Sequence, residues 1–124
     1  MRLLRRLSSP RNDIKVIMKI SIITATYNSG TSINSALQSI ASQTYLNLEL
    51  IIIDGASGDN TLEVVKEKYS RQVSIISEKD KGIYDALNKG VRAATGDIIG
   101  FVHSDDFLAS KELLSKIARI LHDD

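Results

Sequence analysis

From Met18 onward the apolar positions of this chain follow two alternating periods. Ile20 to Ile23, Leu48 to Ile53, Val73 to Ile76 and Ile98 to Val102 are short, β-branched and apolar, the composition of strands covered on both faces. Between them apolar residues recur at helical spacing. Ile33, Leu37 and Ile40 share one face, Leu62, Val65 and Tyr69 a second, Ile83, Leu87, Val91 and Ala94 a third, and Leu114, Ile117 and Leu121 a fourth. Asn60 three residues before Glu63 has the form of a capping box, Ser110 suits an N-cap, and Thr95-Gly96 stops a helix. The resulting order, βαβαβαβα, predicts an α/β fold with a mostly parallel sheet and right-handed crossovers.

In such sheets ligands bind beyond the carboxyl ends of the strands. All four exits are polar: Thr24-Ala25-Thr26-Tyr27-Asn28, then Asp54-Gly55-Ala56-Ser57-Gly58-Asp59, then Ser77-Glu78-Lys79-Asp80-Lys81-Gly82, and finally His103-Ser104-Asp105-Asp106. Turn formers would stand at any one of these places for structural reasons. Four polar exits brought to one edge, the last with paired carboxylates, point to a binding site.

Composition adds an asymmetry. The 124 residues carry a net charge of +1, with 43% hydrophobic and 25% charged residues, as in an ordinary globular domain. Six of the basic residues (Arg2, Arg5, Arg6, Arg11, Lys15, Lys19) precede Ile20 against Asp13 alone, so the leader is basic and the body acidic. Residues 1–17 read as an accessory basic N-terminal extension, with weak contact to an anionic membrane surface as the lesser alternative, and residues 18–124 as the functional domain. No apolar run approaches the roughly 18 to 20 residues of a membrane-spanning helix. Cysteine is absent, which removes disulfides, a thiol nucleophile and thiolate metal sites and suits a reducing cytoplasm.

Adjacent carboxylates repel each other, and a divalent cation relieves the repulsion. Oxygen ligands favour Mg²⁺ or Mn²⁺, which keep waters and bridge to phosphates, so the expected ligand is a nucleotide diphosphate. Neither G-x-x-x-x-G-K-[ST] nor G-x-G-x-x-G follows the first strand, which argues against ATPases and dinucleotide enzymes.

The segments "SIITATYNSG", "QTYLNLELIIIDGASGDNT" and "SEKDKGIYDALNKGVRAATGDIIGFVHSDD", in this order, resemble the nucleotide-sugar-binding half of family 2 glycosyltransferases of the GT-A fold. Within that family they are most similar to bacterial enzymes of surface-polysaccharide, cell-wall and glycolipid biosynthesis. The resemblance implies that Ala25, Thr26 and Tyr27 hold the nucleoside, with Tyr27 stacked on the base, and that Asp54 recognises the uracil or ribose. Lys81 and Asp85 would line the donor pocket. His103-Ser104-Asp105, running into Asp106, corresponds to the D-x-D region: Ser104 and Asp105 would face the nucleotide sugar, and Asp105, Asp106 and His103 the metal. His103 stands where Asp or Asn is commoner; it could ligate Mn²⁺, hydrogen-bond a phosphate or simply finish the strand. Gly55 stands where many members have a second Asp, which puts base recognition in question.

The function implied is metal-dependent, inverting transfer of a sugar, UDP-linked by first expectation, to a saccharide or lipid-linked acceptor, in the cytoplasm or at the inner face of the membrane. No nucleic-acid partner is expected. The chain reads as truncated after the D-x-D region, with the catalytic base expected beyond Asp124 and the open sheet edge favouring self-association. A binding-only donor module is the alternative. A phosphoacceptor signalling domain is a weaker one, because Thr24-Ala25-Thr26 replaces the acidic pair it needs.

Overall fold

The computed structural model describes residues 1–5 and 18–122; the rest of the leader and the terminal Asp123 and Asp124 lie outside the described residues. The elements are β1 (Arg2–Arg5), β2 (Ile20–Thr26), α1 (Ile33–Ala41), β3 (Leu48–Asp54), α2 (Thr61–Lys68), β4 (Val73–Ser77), α3 (Ile83–Ala93), β5 (Ile98–Phe101) and α4 (Leu113–His122). Among the described residues the strands form a single sheet of order β1-β5-β2-β3-β4. β2, β3, β4 and β5 are parallel, as the alternating pattern predicts.

The two-sided burial follows from the sequence of β2 and β3. Ile20, Ile22, Leu48, Leu50 and Ile52 point to one face, where Leu37 and Ile40 of α1, Val65 of α2 and Leu114 of α4 cover them. Ile23, Ile51 and Ile53 point to the other, with Ile99 and Phe101 of β5 and Ala86 of α3. Each such isoleucine or leucine taken from water contributes roughly 1.5–3 kcal/mol. Tyr45 and Tyr69 join the first core. Gly90 lets α3 approach β2 closely, since a Cβ there would stand 2.4 Å from Cγ2 of Ile23.

Two local features differ from the sequence expectation. Asn60 occupies the N-cap of α2 but its side chain makes no capping bond; the carboxylate of Asp59 accepts the Thr61 N–H instead, at 3.0 Å. The larger difference is β1. No element is legible before Ile20, yet Arg2–Arg5 pair antiparallel with Ile98–Phe101, Arg2 opposite Phe101 and Arg5 opposite Ile98. The outer edge of β5 is therefore covered, and the strand that covers it carries arginine at both ends, a common protection for an edge.

At the amino end of the sheet a polar cluster closes the fold. Glu49, nearly buried, accepts from Ser21 Oγ (2.6 Å) and from the Thr95 N–H and Oγ (2.8 Å each), with Lys19 Nζ at 3.6 Å. Burial pushes its pKa up, but these donors and the Lys19 charge outweigh it and hold the carboxyl below its ordinary value. Among the described residues no helix is long and apolar enough to cross a membrane.

Candidate functional site

The carboxyl ends of the four parallel strands meet at one edge, and hydrogen bonds tie their exit loops together. Thr26, Asp54 and Ser77 are register partners across β2, β3 and β4. Thr26 Oγ1 and Ser77 Oγ donate to the Asp54 carboxylate at 2.7 and 2.9 Å, and Ser57 donates both its N–H (2.9 Å) and its hydroxyl (2.6 Å). Asn28 accepts from the Gly58 N–H at 2.8 Å, and its own N–H donates to Ser57 Oγ at 2.8 Å. Asp59 accepts the Gly30 N–H at 3.1 Å. Ser29 reaches the fourth exit, its hydroxyl donating to Ser104 Oγ at 3.2 Å.

Backbone strain gathers in the same loops. Asn28 and Ala56 have φ of 48° and 62°, the left-handed region that a side chain makes unfavourable. Gly82, at φ 112°, precedes α3 in a conformation that glycine adopts freely.

Between the first and third exits lies a cleft of about 300 Å³ lined by Ala25, Thr26, Tyr27, Asp80, Gly82, Ile83 and Ala86. Its outer wall is open, with the Tyr27 ring 66% exposed. A Cβ on Gly55 would stand 3.0 Å from Oδ2 of Asp80 and 3.5 Å from the Tyr27 ring. The Asp80 carboxylate thus stands against Gly55, where a larger side chain would have to compete for the space.

The structure brings Ala25, Thr26 and Tyr27 into this cleft. Asp54 lies directly behind it but is fully buried, and its four hydrogen bonds use the roughly four lone-pair positions of a carboxylate. Burial raises its pKa, and the bonds from Ser57, Thr26 and Ser77 more than reverse the effect, leaving it below the ordinary value. Lys81 and Asp85 alternate with the lining residues without being among them. Asp85 accepts the Lys81 N–H at 2.9 Å and pairs with Lys89 at 3.5 Å, while Lys89 also meets Glu78 at 3.1 Å. The Lys81 N–H is the main cause of a lowered Asp85 pKa, and the Lys89 ammonium adds to it.

His103, Asp105 and Asp106 are exposed in the turn after β5, and Ser104 is half-buried. The Asp106 N–H closes the turn onto the His103 carbonyl at 3.0 Å, and its Oδ1 accepts the Phe107 N–H at 2.8 Å. A second cavity, of about 230 Å³, is lined by Met1, Arg2, Leu87, Phe101, His103 and Asp106. Among the described residues no group of three or more His, Cys, Asp or Glu is placed to hold a metal. Asp105 and Asp106 provide two neighbouring oxygen donors, which fits a cation that takes one or two protein carboxylates and completes its shell with water and phosphate.

Asp80 and Arg2 are among the residues at this edge to which sequence reasoning gave no site role, with Ser29, Ser57 and Ser77. Asp80 carries a signal, its place in the third exit. Arg2 carries none, because a strand of four residues in a basic leader has no usable period.

Comparison with known proteins follows the same outline. The model of "Glycosyl transferase family 2" matches residues 21–124. A "PGL/p-HBAD biosynthesis glycosyltransferase" of Mycobacterium bovis is 36% identical over 104 residues, covering 82% of this chain and 41% of that one. The structure of S. aureus TarS 1-349 in complex with UDP-GlcNAc superposes with a TM-score of 0.76 at 32% identity, covering 86% of this chain and 32% of that one. The mannosyltransferase PcManGT of Pyrobaculum calidifontis, in complex with GDP-Man and Mn²⁺, gives a TM-score of 0.75 at 25% identity, covering 94% and 36%. The chain thus spans less than half the length of these relatives.

Proposed function

Because this chain belongs to glycosyl transferase family 2, we propose that its carboxyl sheet edge binds the nucleoside diphosphate of a sugar donor. The whole protein then transfers that sugar to a saccharide or lipid-linked acceptor of the cell envelope. The observation that carries this reading is the cleft between the β2 and β4 exits, with the Ser29–Ser104 contact joining the loop after β2 to the paired carboxylates.

In this reading the exposed Tyr27 ring stacks on the base and the Ala25–Thr26 backbone floors the nucleoside site. Asp80 supplies the carboxylate that reads a donor N–H of the base across Gly55. Asp54 holds the ends of β2, β3 and β4 in register and reads the ribose or base only if Ser57 or Ser77 turns away. Ser104, Asp105 and Asp106 face the diphosphate, with His103 beside them. Mg²⁺ or Mn²⁺ held by Asp105 and Asp106 would neutralise the charge that grows on the departing diphosphate. Lys81 and Asp85 order the first turn of α3 next to the donor. The base that takes the acceptor proton is assigned to none of these residues. The relatives' complexes with UDP-GlcNAc and with GDP-Man and Mn²⁺ support a nucleotide sugar and a metal, and the match to TarS favours a UDP-linked donor. A cytoplasmic site, at the membrane's inner face if the acceptor is lipid-linked, goes with this reading.

Thermal unfolding of the full chain against a panel of UDP-, GDP- and dTDP-sugars, each with Mn²⁺ or with EDTA, tests the assignment. A ligand that binds only the folded state raises stability by about 2.7 kcal/mol at a hundredfold excess over Kd. The expected result is a metal-dependent rise with a UDP-sugar, and an unchanged melting temperature across the whole panel would overturn the donor-site reading.

A further inference from the structure

We propose that Arg2, carried in by β1, is a diphosphate-binding residue of this site: the N-terminal strand supplies a cation that the four parallel exits lack at their fourth loop. This rests on the donor-site reading above.

The placement follows from register. All four residues of β1 pair with β5, and Arg2 lies opposite Phe101, the last residue of that strand. Paired residues of an antiparallel ladder project to the same face, so Arg2 lies on the Phe101 face of the sheet, over which α3 packs. His103 is two residues further along the chain, about 7 Å at the rise of an extended strand, which a long arginine side chain can bridge. One cavity joins them, with Arg2, Leu87, Phe101, His103 and Asp106 all in its lining. Leu87 and Phe101 offer an apolar bed for the methylene stem of the arginine, a usual arrangement when the charged head is left at the surface.

Charge gives the placement a purpose. A divalent cation is balanced by Asp105 and Asp106 alone, which leaves the negative charges of a diphosphate uncompensated. Among the residues lining the cavity Arg2 carries the one permanently cationic side chain, beside the α-ammonium of Met1, and it makes no ion pair with the described residues. Its planar fork suits two phosphate oxygens at once, which a lysine ammonium does not.

Calorimetric titration of the full chain with UDP and with uridine, both in Mn²⁺, compares the wild type with Arg2→Ala, Arg2→Lys and, as a control on the same strand, Arg5→Ala. The expected result is UDP affinity lowered about tenfold or more in Arg2→Ala, partly restored in Arg2→Lys and unchanged in Arg5→Ala, with uridine affinity equal in all four. Equal UDP affinity in wild type and Arg2→Ala would overturn the proposal while leaving the donor-site reading in place. So would tighter binding in Arg2→Ala, which would mean that the guanidinium competes with the metal for Asp106. A wild type that binds no UDP would overturn the donor-site reading and this proposal with it.

Discussion

Ser29 and Ser104, 75 positions apart, meet hydroxyl to hydroxyl at 3.2 Å. Ser29 follows β2, Ser104 follows β5, and the contact ties the acidic turn to the loop that borders the cleft between the β2 and β4 exits. Ser29 Oγ also accepts the Tyr27 N–H at 3.2 Å, so one buried hydroxyl serves both halves of the site. Ser29→Ala is expected to destabilise the fold by about 1 kcal/mol and to weaken metal-dependent UDP binding more than uridine binding. Urea unfolding together with titration of both ligands checks it. Equal losses for the two ligands would show that the link does not position the acidic turn.

The acidic turn itself gives a second prediction. Asp105→Asn and Asp106→Asn each remove one anion from an exposed, adjacent pair, which relieves repulsion in the metal-free protein. Both variants should keep or slightly gain thermal stability without metal and lose the Mn²⁺-dependent part of UDP affinity. Titration with Mn²⁺ and with EDTA separates the two, and a metal-dependent affinity retained in both variants would remove these carboxylates from the metal site.

Acid sensitivity should trace to two buried carboxylates. Asp54 and Glu49 both have folded-state pKa values below their ordinary ones, so the unfolded chain binds their protons first. Their contribution is present above the unfolded values, about 3.9 and 4.3, and is lost as pH falls through the lower folded values. The urea midpoint should therefore drop steeply below about pH 4. Asp54→Asn should cost about 1–3 kcal/mol at neutral pH and flatten the acid limb. An acid limb unchanged in both Asp54→Asn and Glu49→Gln would assign the sensitivity elsewhere.

Backbone geometry supplies a matched pair of substitutions. Gly90→Ala drives a Cβ to within 2.4 Å of the Ile23 side chain in the core and should cost about 1–3 kcal/mol, the usual effect of overpacking. Ala56→Gly relieves a left-handed φ of 62° and should be neutral or stabilising by about 1 kcal/mol, because the strain it removes offsets the extra freedom of the unfolded chain. Chemical denaturation of both variants checks the opposite signs.

The sequence by itself determined the layered architecture and the edge where the candidate site lies. Ile20, Ile22 and Ile23, or Leu48 to Ile53, can be buried only in a strand covered on both sides, and Leu37, Val65 and Leu114 recur at the spacing that covers them; on α3 the face read from the sequence is rotated, with Ala86 and Gly90 buried and Ile83 exposed. Because side-chain burial repeats along each element, it is written locally, and the polar exits Thr24 to Asn28 and His103 to Asp106 are legible as breaks in it. Tertiary structure decided what each polar group does. Asp54 reads in the sequence as a free acid at a strand end, yet three hydroxyls and an amide contributed by β2, β4 and its own loop occupy it. Glu49 sits within an apolar run and becomes the centre of a network reaching Lys19 and Thr95. Asp80 comes to stand over Gly55, and four residues of a basic leader become an edge strand that sets Arg2 beside His103 and Asp106. These outcomes depend on which distant groups arrive within about 3 Å of one another, and a hydrogen-bond partner or an antiparallel register leaves no period along the chain that carries it.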